Sequence, residues 1–348
     1  MLEKVVSNDP TDAAAHEALG VAIVSRATAD SDPGTARADR LYARKELLRA
    51  KELGDTSDLC RILLSQIPES GETAPLSEKP EVNAFLEAGE AAFAAGDWQK
   101  AIAAYSSAWD LDHSSRAALF LGDTYFGMKD MDRAGDWYAK AIELQPDSET
   151  AYRYWGDALM AQGKMKEARA KYIEGIAADP YQAASVAGLR KWLTRNNLAF
   201  KKIPIVLPQG PSVDKNGKTT INVDASMLEK SDIAAAWLAY SATRSVWQQE
   251  QFLKTFPQEK SYRHSLAEEV AALDSVVRVY HELMADKSRK QDAALDLLAK
   301  LMDEGLLEPF ILLTHADAGI VKDYSAYRHA HRDKLVAFLD QYLVPPAP

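Results

Sequence analysis

A pattern of four residues recurs three times in the middle of this chain, at steps of 33 and 34 residues. In each unit a glycine is followed by an alanine, a tyrosine and another small residue at constant spacing. The members are Gly89, Ala101, Tyr105 and Ala108; Gly122, Ala134, Tyr138 and Ala141; and Gly156, Ala168, Tyr172 and Gly175. Small residues at fixed positions mark the points where paired helices cross. A repeat of this length therefore predicts stacked helical hairpins.

The wider pattern of the units is close to aromatic-x2-Leu-Gly-x2-Tyr, followed by Ala-x3-aromatic-x2-Ala-x4-Pro. Its aromatic, Leu and Tyr positions are filled by Phe85, Ala88 and Ala92; Ala118, Leu121 and Tyr125; and Tyr152, Trp155 and Leu159. Pro146 and Pro180 close the second and third units, whereas His113 replaces the proline of the first. The motif resembles the tetratricopeptide repeat (TPR) of bacterial-type proteins, a helix-turn-helix unit that stacks into a solenoid. The resemblance implies a mainly α fold, with three TPR units at residues 82–181 and a capping helix at residues 182–200.

The sequence outside these units divides into four further segments. Residues 1–69 have helix-pair spacing interrupted by ADSDPGTARAD, which predicts degenerate TPR-like helices with a long inserted loop. Residues 70–81, rich in Pro, Ser and Glu, predict a linker. Two β-rich runs around Asn216-Gly217 predict a small β-hairpin at residues 201–224. Helical periodicity returns at residues 225–348 and predicts a C-terminal helical bundle, whose family we do not recognise.

The resemblance also predicts a ligand-binding groove, because helix-A positions 2, 5, 9 and 12 of a TPR tend to face the concave side of the array. In this chain they are Asn83, Leu86, Glu90 and Phe93; Arg116, Leu119, Asp123 and Phe126; and Thr150, Arg153, Asp157 and Met160. The ninth position is acidic and the twelfth is large and apolar in every unit. We therefore predict a protein or peptide partner with basic and apolar residues, bound as an extended segment or a helix. Alternatively, the acidic residues only solvate and support their helices.

Some TPR domains hold the C-terminal carboxylate of a chaperone with a clamp of lysine and asparagine or arginine side chains. The corresponding positions here are Leu86, Glu90, Phe120, Thr150 and Tyr154. None of them is basic and one is acidic, so the sequence argues against this kind of ligand.

Bulk properties exclude several other classes of function. The net charge of −10 argues against nucleic-acid binding, which needs a basic face to neutralise phosphates. No apolar stretch approaches the length of a transmembrane helix, which argues against membrane insertion. Cys60 is the only cysteine, so no intrachain disulfide can form. We expect a cytoplasmic protein. The first ten residues resemble the end of a repeat whose first half is missing, and a removed signal peptide would make the protein periplasmic or secreted.

No catalytic or cofactor motif is readable in the sequence. His281-Glu282 begins like a zinc-protease helix, but Ala285 stands where the second ligand is needed. Weaker metal-site alternatives are His264 with Glu268, and His315 with the pair His329 and His331. We therefore predict no enzyme activity, no cofactor and no metal.

Polar and aromatic residues of the first C-terminal helices suggest either a buried network or a pocket, and the network is favoured. In a pocket, Arg244 and His264 would bind an anion. The function we favour is a protein-interaction scaffold, with the C-terminal segment as a second docking unit. One alternative is an enzyme with a site in the C-terminal bundle, to which the repeats recruit a partner. The other is a structural helical spacer.

Overall fold

The computed structural model describes residues 2–29, 33–55, 57–71, 76–213, 219–220 and 233–348. Contacts divide the chain into two compact units, residues 1–87 and 88–348. Nearly all regular structure in the described residues is helical, as the sequence predicted. None of the helices in these ranges is both long and apolar enough to cross a membrane.

The unit of residues 1–87 is built around two long helices. Its elements are α1 (Leu2–Asn8), α2 (Ala13–Ala29), α3 (Pro33–Glu52), α4 (Asp58–Gln66) and the first half of α5 (Pro80–Ala94). Leu19 and Ile23 of α2 pack with Ala43 and Leu47 of α3 in a small buried cluster. Apolar residues three and four apart on one helical face account for this packing.

The predicted inserted loop is wrong for most of its length, because α3 begins at Pro33. Proline is favoured in the first turn of a helix, because backbone N–H groups there have no intrahelical partner and proline, which lacks the N–H, loses no hydrogen bond. Arg26 donates from Nε and Nη2 to Asp39, over 2.6 and 2.7 Å, and so ties α2 to the segment predicted as loop. The extra residues lengthen the helical pair, and residues 30–32 lie outside the described part of the chain.

The repeats form three successive helical hairpins, whose A helices are α5, α7 (Ser115–Gly127) and α9 (Glu149–Ala161). The B helices are α6 (Trp98–Leu111), α8 (Met131–Leu144) and α10 (Met165–Ala178), and α11 (Ala183–Arg195) follows at the position predicted for a capping helix. It does not end the array, because Trp192 shares one buried cluster with the C-terminal helices. Asp97 and Asp130 cap α6 and α8 by accepting hydrogen bonds from backbone N–H groups. Gly96 and Gly163, with φ of +73° and +76°, make the left-handed turns between A and B helices.

The glycine of each A helix lies against the tyrosine ring of its B helix. A Cβ atom placed on Gly122 would come 2.5 Å from Cε1 of Tyr138, and one on Gly156 would come 2.9 Å from Cε1 of Tyr172. Gly89 meets Tyr105 in the same way. The repeated glycine is therefore required by the close approach of the ring.

The C-terminal segment is helical, as predicted. Its elements are α12 (Ala234–Val246), a π-helical turn (Trp247–Gln251), α13 (Phe252–Thr255), α14 (Leu266–Met284), α15 (Ala293–Asp303), α16 (Leu307–Thr314), a 3-10 turn (Ile320–Asp323), α17 (Tyr324–Phe338) and a π-helical turn (Leu339–Leu343). Its core is continuous with that of the last repeat, and one cluster includes Tyr172, Trp192, Phe310 and Phe338.

Helix α17 packs on the C-terminal end of α10, where backbone carbonyls lack intrahelical partners. The Tyr324 hydroxyl donates to the Ala177 carbonyl over 2.8 Å. Nη2 of Arg332 donates to the Glu174 carbonyl over 2.9 Å. Cationic side chains are favoured at this negative end of a helix. The C-terminal helices thus continue the repeat array as part of the same compact unit.

The predicted hairpin at residues 201–224 is not supported. Among the described residues of this stretch, the structure shows only a two-residue antiparallel pairing, in which Ser212 and Val213 lie opposite Thr220 and Thr219. Residues 201–211 form no strand, and their three prolines lack the N–H that strand pairing needs. Ile205 is buried in the core instead. The proposed turn at residues 214–218 and the run at 221–224 lie outside the described residues.

Candidate functional site

A cleft of about 330 Å³ opens along the A helices of the repeats. It is lined by Phe93, Asp123, Phe126, Gly127, Tyr138, Tyr154 and Asp157. All of these residues except Tyr138 come from α5, α7 and α9, so every repeat contributes to one space. We call this space the groove cleft. Four aromatic side chains and two carboxylates make up its chemistry, and none of the seven residues is basic.

The structure brings four of the predicted groove residues together in the groove cleft, namely Phe93, Asp123, Phe126 and Asp157. Glu90 is exposed and close enough to Asp123 for its charge to affect that carboxyl group. Leu119 is partly buried against the repeat cores. The predicted acidic and apolar positions of consecutive units thus face a common space.

Two predicted groove residues offer no side-chain surface to a ligand. Leu86 and Met160 are only 0% and 4% exposed. Met160 belongs to the large core together with Tyr172 and Trp192. The repeat pattern does not predict how α11 is oriented. This helix contributes Trp192 to the same cluster and so helps to bury Met160, the twelfth position of the third unit.

The remaining predicted groove residues lie outside the lining of the cleft. Nε of Arg153 donates to Glu149 over 3.2 Å, and its guanidinium lies 4.5 Å from the ring centre of Tyr154. Arg116 is exposed. Asn83 belongs to the unit of residues 1–87, where its amide nitrogen donates to Glu87 over 2.7 Å.

The acidic residue at the ninth position of each A helix accepts a hydrogen bond from the tyrosine that follows it by fifteen residues. The hydroxyl–carboxylate distances are 2.6 Å for Tyr105–Glu90, 2.8 Å for Tyr138–Asp123 and 2.7 Å for Tyr172–Asp157. The tyrosine therefore fills the space over the glycine and also orients the carboxylate. This pairing is not among the predicted features, although both residue types recur with the same period.

Asp123 and Asp157 differ in their charged partners. Nζ of Lys191, on α11, forms a salt bridge of 2.9 Å with Oδ1 of Asp157. In the part of the chain that the structure describes, no cationic side chain forms a salt bridge with Asp123. Burial, reinforced by the charge of Glu90, raises the pKa of Asp123 to about 6, against the opposing effects of the Tyr138 hydrogen bond and the Arg153 charge. Asp123 is thus the unneutralised carboxylate of the cleft.

This environment makes the charge of Asp123 costly to the fold. Because its pKa is higher in the folded than in the unfolded chain, stability is lost as the pH rises from about 4 to about 6. We expect Asp123→Asn, which keeps an acceptor for Tyr138, to raise the free energy of unfolding by about 1–2 kcal/mol at neutral pH. Below about pH 4 the two proteins should be equally stable. Urea unfolding at both pH values measures the difference.

The matched variant is Asp157→Asn, which removes a carboxylate that Lys191 already neutralises. It should not gain stability at neutral pH. An equal gain for both variants would contradict an effect specific to Asp123.

Arg244 and His264, the alternative site residues, lie in a polar cluster formed by α12, α14 and the residues just before α14. Nε of Arg244 donates to Oε1 of Glu268 over 3.0 Å, and Nη1 donates to the Tyr240 hydroxyl over 3.1 Å. That hydroxyl donates to Oε1 of Glu269 over 2.8 Å. We call Tyr240, Arg244, His264, Glu268 and Glu269 the C-terminal polar cluster. Burial raises the pKa of Glu268, and the charge of Arg244 opposes this.

The histidine of the C-terminal polar cluster bridges two carboxylates. His264 contacts Glu269 through Nε2 over 2.9 Å and Asp317 through Nδ1 over 2.8 Å. Burial by itself would lower the pKa of His264, but these hydrogen bonds raise it. Both cations of the cluster face carboxylates of the chain itself, which is the geometry of a structural network rather than of an anion-binding pocket.

The possible metal ligands are not gathered in one place. Within the described ranges, no group of three or more His, Cys, Asp and Glu side chains is arranged to hold a metal ion. His264 pairs with Glu269 rather than with Glu268. His315 contacts Thr314 and lies 4.8 Å from the Phe310 ring, whereas His331 lies 5.0 Å from the ring of Tyr327.

Comparisons with known proteins identify the repeats. Residues 86–149 match the family model described as Tetratricopeptide repeat, which confirms the predicted repeat type in this part of the chain. A comparison with curated proteins finds no match.

Several solved TPR structures are similar to about a third of the chain. The TPR domain of Arabidopsis OM64 is 19% identical and has a TM-score of 0.31, with 33% of this chain and 96% of that chain covered. The Sgt2 TPR domain from Aspergillus fumigatus is 22% identical with a TM-score of 0.32, and the coverage is 34% and 80%. The second TPR domain of human RPAP3, solved in complex with an HSP70 peptide, is 20% identical with a TM-score of 0.31, and the coverage is 32% and 94%.

Proposed function

We propose that this chain is a protein-interaction scaffold whose groove cleft holds an extended or helical segment of a partner protein. The observation that carries the proposal is the convergence of side chains from three consecutive repeats on one aromatic and acidic cleft. Stacked helical repeats present such extended surfaces for binding because each unit adds equivalent positions to the same face. Apolar pockets with a few placed polar groups are the usual form of a ligand site.

The chemistry of the cleft favours a basic and apolar segment. Phe93 and Phe126 provide apolar contact area, and Asp123 and Asp157 provide negative charge. Exposed Glu90 continues the acidic surface beside them. The overall charge of −10 would also steer a basic partner toward the protein. A carboxylate-terminated ligand would meet repulsion, because no lining residue is basic.

The C-terminal helices contact the repeats away from the cleft. Their hydrogen bonds reach the carbonyls of Pro146, Glu174 and Ala177, none of which lines the groove cleft. Tyr181 of the repeat end donates to the Leu312 carbonyl over 2.9 Å. These contacts support a role of the C-terminal helices in holding the last repeat in place. Their outer surface is available as a second docking unit.

A double substitution of the aromatic walls tests the scaffold function. We expect Phe93→Ala with Phe126→Ala to weaken capture of the partner from source-cell lysate by at least about tenfold. The reason is that a few aromatic side chains usually carry most of the binding energy of an interface, and truncation to alanine removes it. Quantitative pull-down followed by mass spectrometry measures the loss for each captured protein.

The matched control truncates two exposed apolar residues of the repeats that do not line the cleft, Leu111→Ala with Leu144→Ala. This variant should capture the same proteins as the parent chain. Circular dichroism verifies that both double variants are folded. Undiminished capture by the folded Phe93 and Phe126 variant would exclude the groove cleft as the binding site.

A further inference from the structure

We propose that the groove cleft is a receptor for the ammonium group of a lysine side chain, with Asp123 as the counterion. The inference rests on the proposed scaffold function and specifies what the partner segment must contain. It follows from three features of the cleft: its aromatic walls, its single unneutralised carboxylate and the hydrogen-bonding state of that carboxylate.

The walls of the cleft consist of aromatic faces and edges. Phe93, Phe126 and Tyr154 contribute three partly exposed rings. The nearly buried ring of Tyr138, which is 1% exposed, has its centre 6.1 Å from that of Tyr154 at a tilt of 58°. Trp98 packs edge-on against Phe93 at 5.4 Å, which holds that wall in place. A cation within about 6 Å of an aromatic ring is attracted by the negative face of the ring.

The same repeats already use this interaction outside the groove cleft. Nζ of Lys140 lies 3.7 Å from the ring centre of Trp137, and Nζ of Lys171 lies 3.9 Å from that of Trp155. Both pairs are made within the chain by lysine and an aromatic ring. None of the seven lining residues of the groove cleft is a lysine or arginine, although the neighbouring Arg153 guanidinium already lies 4.5 Å from the ring centre of Tyr154. The rings of Phe93 and Phe126 have no such cation in the described part of the chain.

The charge of the cleft is concentrated on Asp123. Lys191 neutralises Asp157, and Arg153, the cation whose charge is felt at Asp123, is itself hydrogen bonded to Glu149. A purely apolar ligand would bury the Asp123 carboxylate further without a partner, which is costly. A ligand cation would instead offset the free-energy cost that burial imposes on the charged Asp123 carboxylate.

The hydrogen bond from Tyr138 favours lysine over arginine. Tyr138 occupies Oδ1 of Asp123, and in the described part of the chain Oδ2 has no hydrogen-bond donor. Arginine binds best when both carboxylate oxygens accept its planar fork. An ammonium group is a compact point charge that needs one oxygen and fits between rings. The volume of about 330 Å³ is at the lower end for ligand pockets, in keeping with a single long side chain.

The probe is Nα-acetyl-lysine amide, titrated into the full chain and followed by NMR shifts of the cleft residues. We expect saturable binding in the millimolar range, from cation–π and charge-pair attraction. Binding should weaken by at least about tenfold for the uncharged Nε-acetylated probe and for the corresponding arginine amide. It should also weaken below about pH 6, where Asp123 becomes protonated.

Two variants complete the test. Asp123→Asn should reduce lysine-probe binding by at least about tenfold, whereas Asp132→Asn, at an exposed acid outside the cleft, should leave it unchanged. Equal binding of the lysine and Nε-acetyl-lysine probes, or undiminished binding to Asp123→Asn, would overturn the inference. If the lysine probe fails to bind while partner capture still depends on Phe93 and Phe126, the scaffold function stands and the ammonium site falls. If the lysine probe does not bind and capture does not depend on Phe93 and Phe126, both proposals fall.

Discussion

Gly122→Ala is expected to lower the free energy of unfolding of the repeat unit by about 2 kcal/mol. The new methyl group would come 2.5 and 2.6 Å from Cε1 and Cδ1 of Tyr138, a ring that is 1% exposed and has little room to move. Overpacking of this kind costs about 1–3 kcal/mol, and the better helix propensity of alanine returns at most about 1 kcal/mol. A displaced Tyr138 would also weaken its hydrogen bond to Asp123. Urea unfolding followed by circular dichroism measures the change.

Gly175→Ala provides the matched control for this substitution. Gly175 stands where the other two units have Ala108 and Ala141, and its nearest neighbour to a new Cβ atom is Cβ of Tyr152 at 3.3 Å. That contact requires only a small adjustment, so helix propensity should dominate and stability should stay equal or rise by up to about 1 kcal/mol. If both variants lose the same stability, the clash with the tyrosine is not the cause of the effect at Gly122.

Arg244→Met is expected to lower the free energy of unfolding by about 3–5 kcal/mol, because it leaves Glu268 buried without its cation and leaves Glu269 with His264 alone. Glu268 is completely buried, and its Oε2 has no hydrogen-bond partner in the described part of the chain. The loss should be smaller at about pH 5 than at about pH 8, because the unpaired Glu268 carboxyl group can bind a proton at the lower pH. Thermal unfolding at both pH values gives the comparison.

The control for Arg244 is Arg278→Met, the same chemical change on the surface of α14. Arg278 forms an i,i+4 pair with Asp274, and both side chains are exposed. Exposed pairs of this kind contribute less than about 1 kcal/mol, so this variant should unfold almost as the parent does at both pH values. A similar loss in the two arginine variants would show that the C-terminal polar cluster contributes no more than an ordinary surface pair.

The repeat helices were predictable from the sequence because their signals are local. Small residues recur where the helices cross, and capping residues or glycines stand at the turns, as at Asp97, Gly96 and Gly163. The segment of residues 33–39 and the hairpin were predicted wrongly for the opposite reason. Helix α3 extends to Pro33 through a contact between Arg26 and Asp39, thirteen residues apart. Residues near Ile205 join a core formed by distant helices instead of pairing as strands.

The candidate site was only partly predictable for a related reason. The acidic ninth position and the apolar twelfth position could be read directly from the period, and Phe93, Asp123, Phe126 and Asp157 meet in one cleft. From the sequence, Tyr154 stands only at a position of the chaperone carboxylate clamp. Its place in the lining of the groove cleft follows from how α9 packs beside α8. The burial of Met160 likewise depends on Trp192 and the core beyond it.

The sequence by itself determined the repeat, since a period of 33 and 34 residues leaves stacked helical hairpins as the way to bury its small and aromatic positions. It also determined that a carboxylate and a tyrosine recur in every unit. Only the tertiary structure decided which of these carboxylates is neutralised by a salt bridge and which is not. Lys191 reaches Asp157 from a helix 34 residues further along the chain, whereas Asp123 stays unneutralised between aromatic rings. The physical reason is that burial and salt bridges depend on which distant helices pack together, and a local repeat pattern does not encode that arrangement.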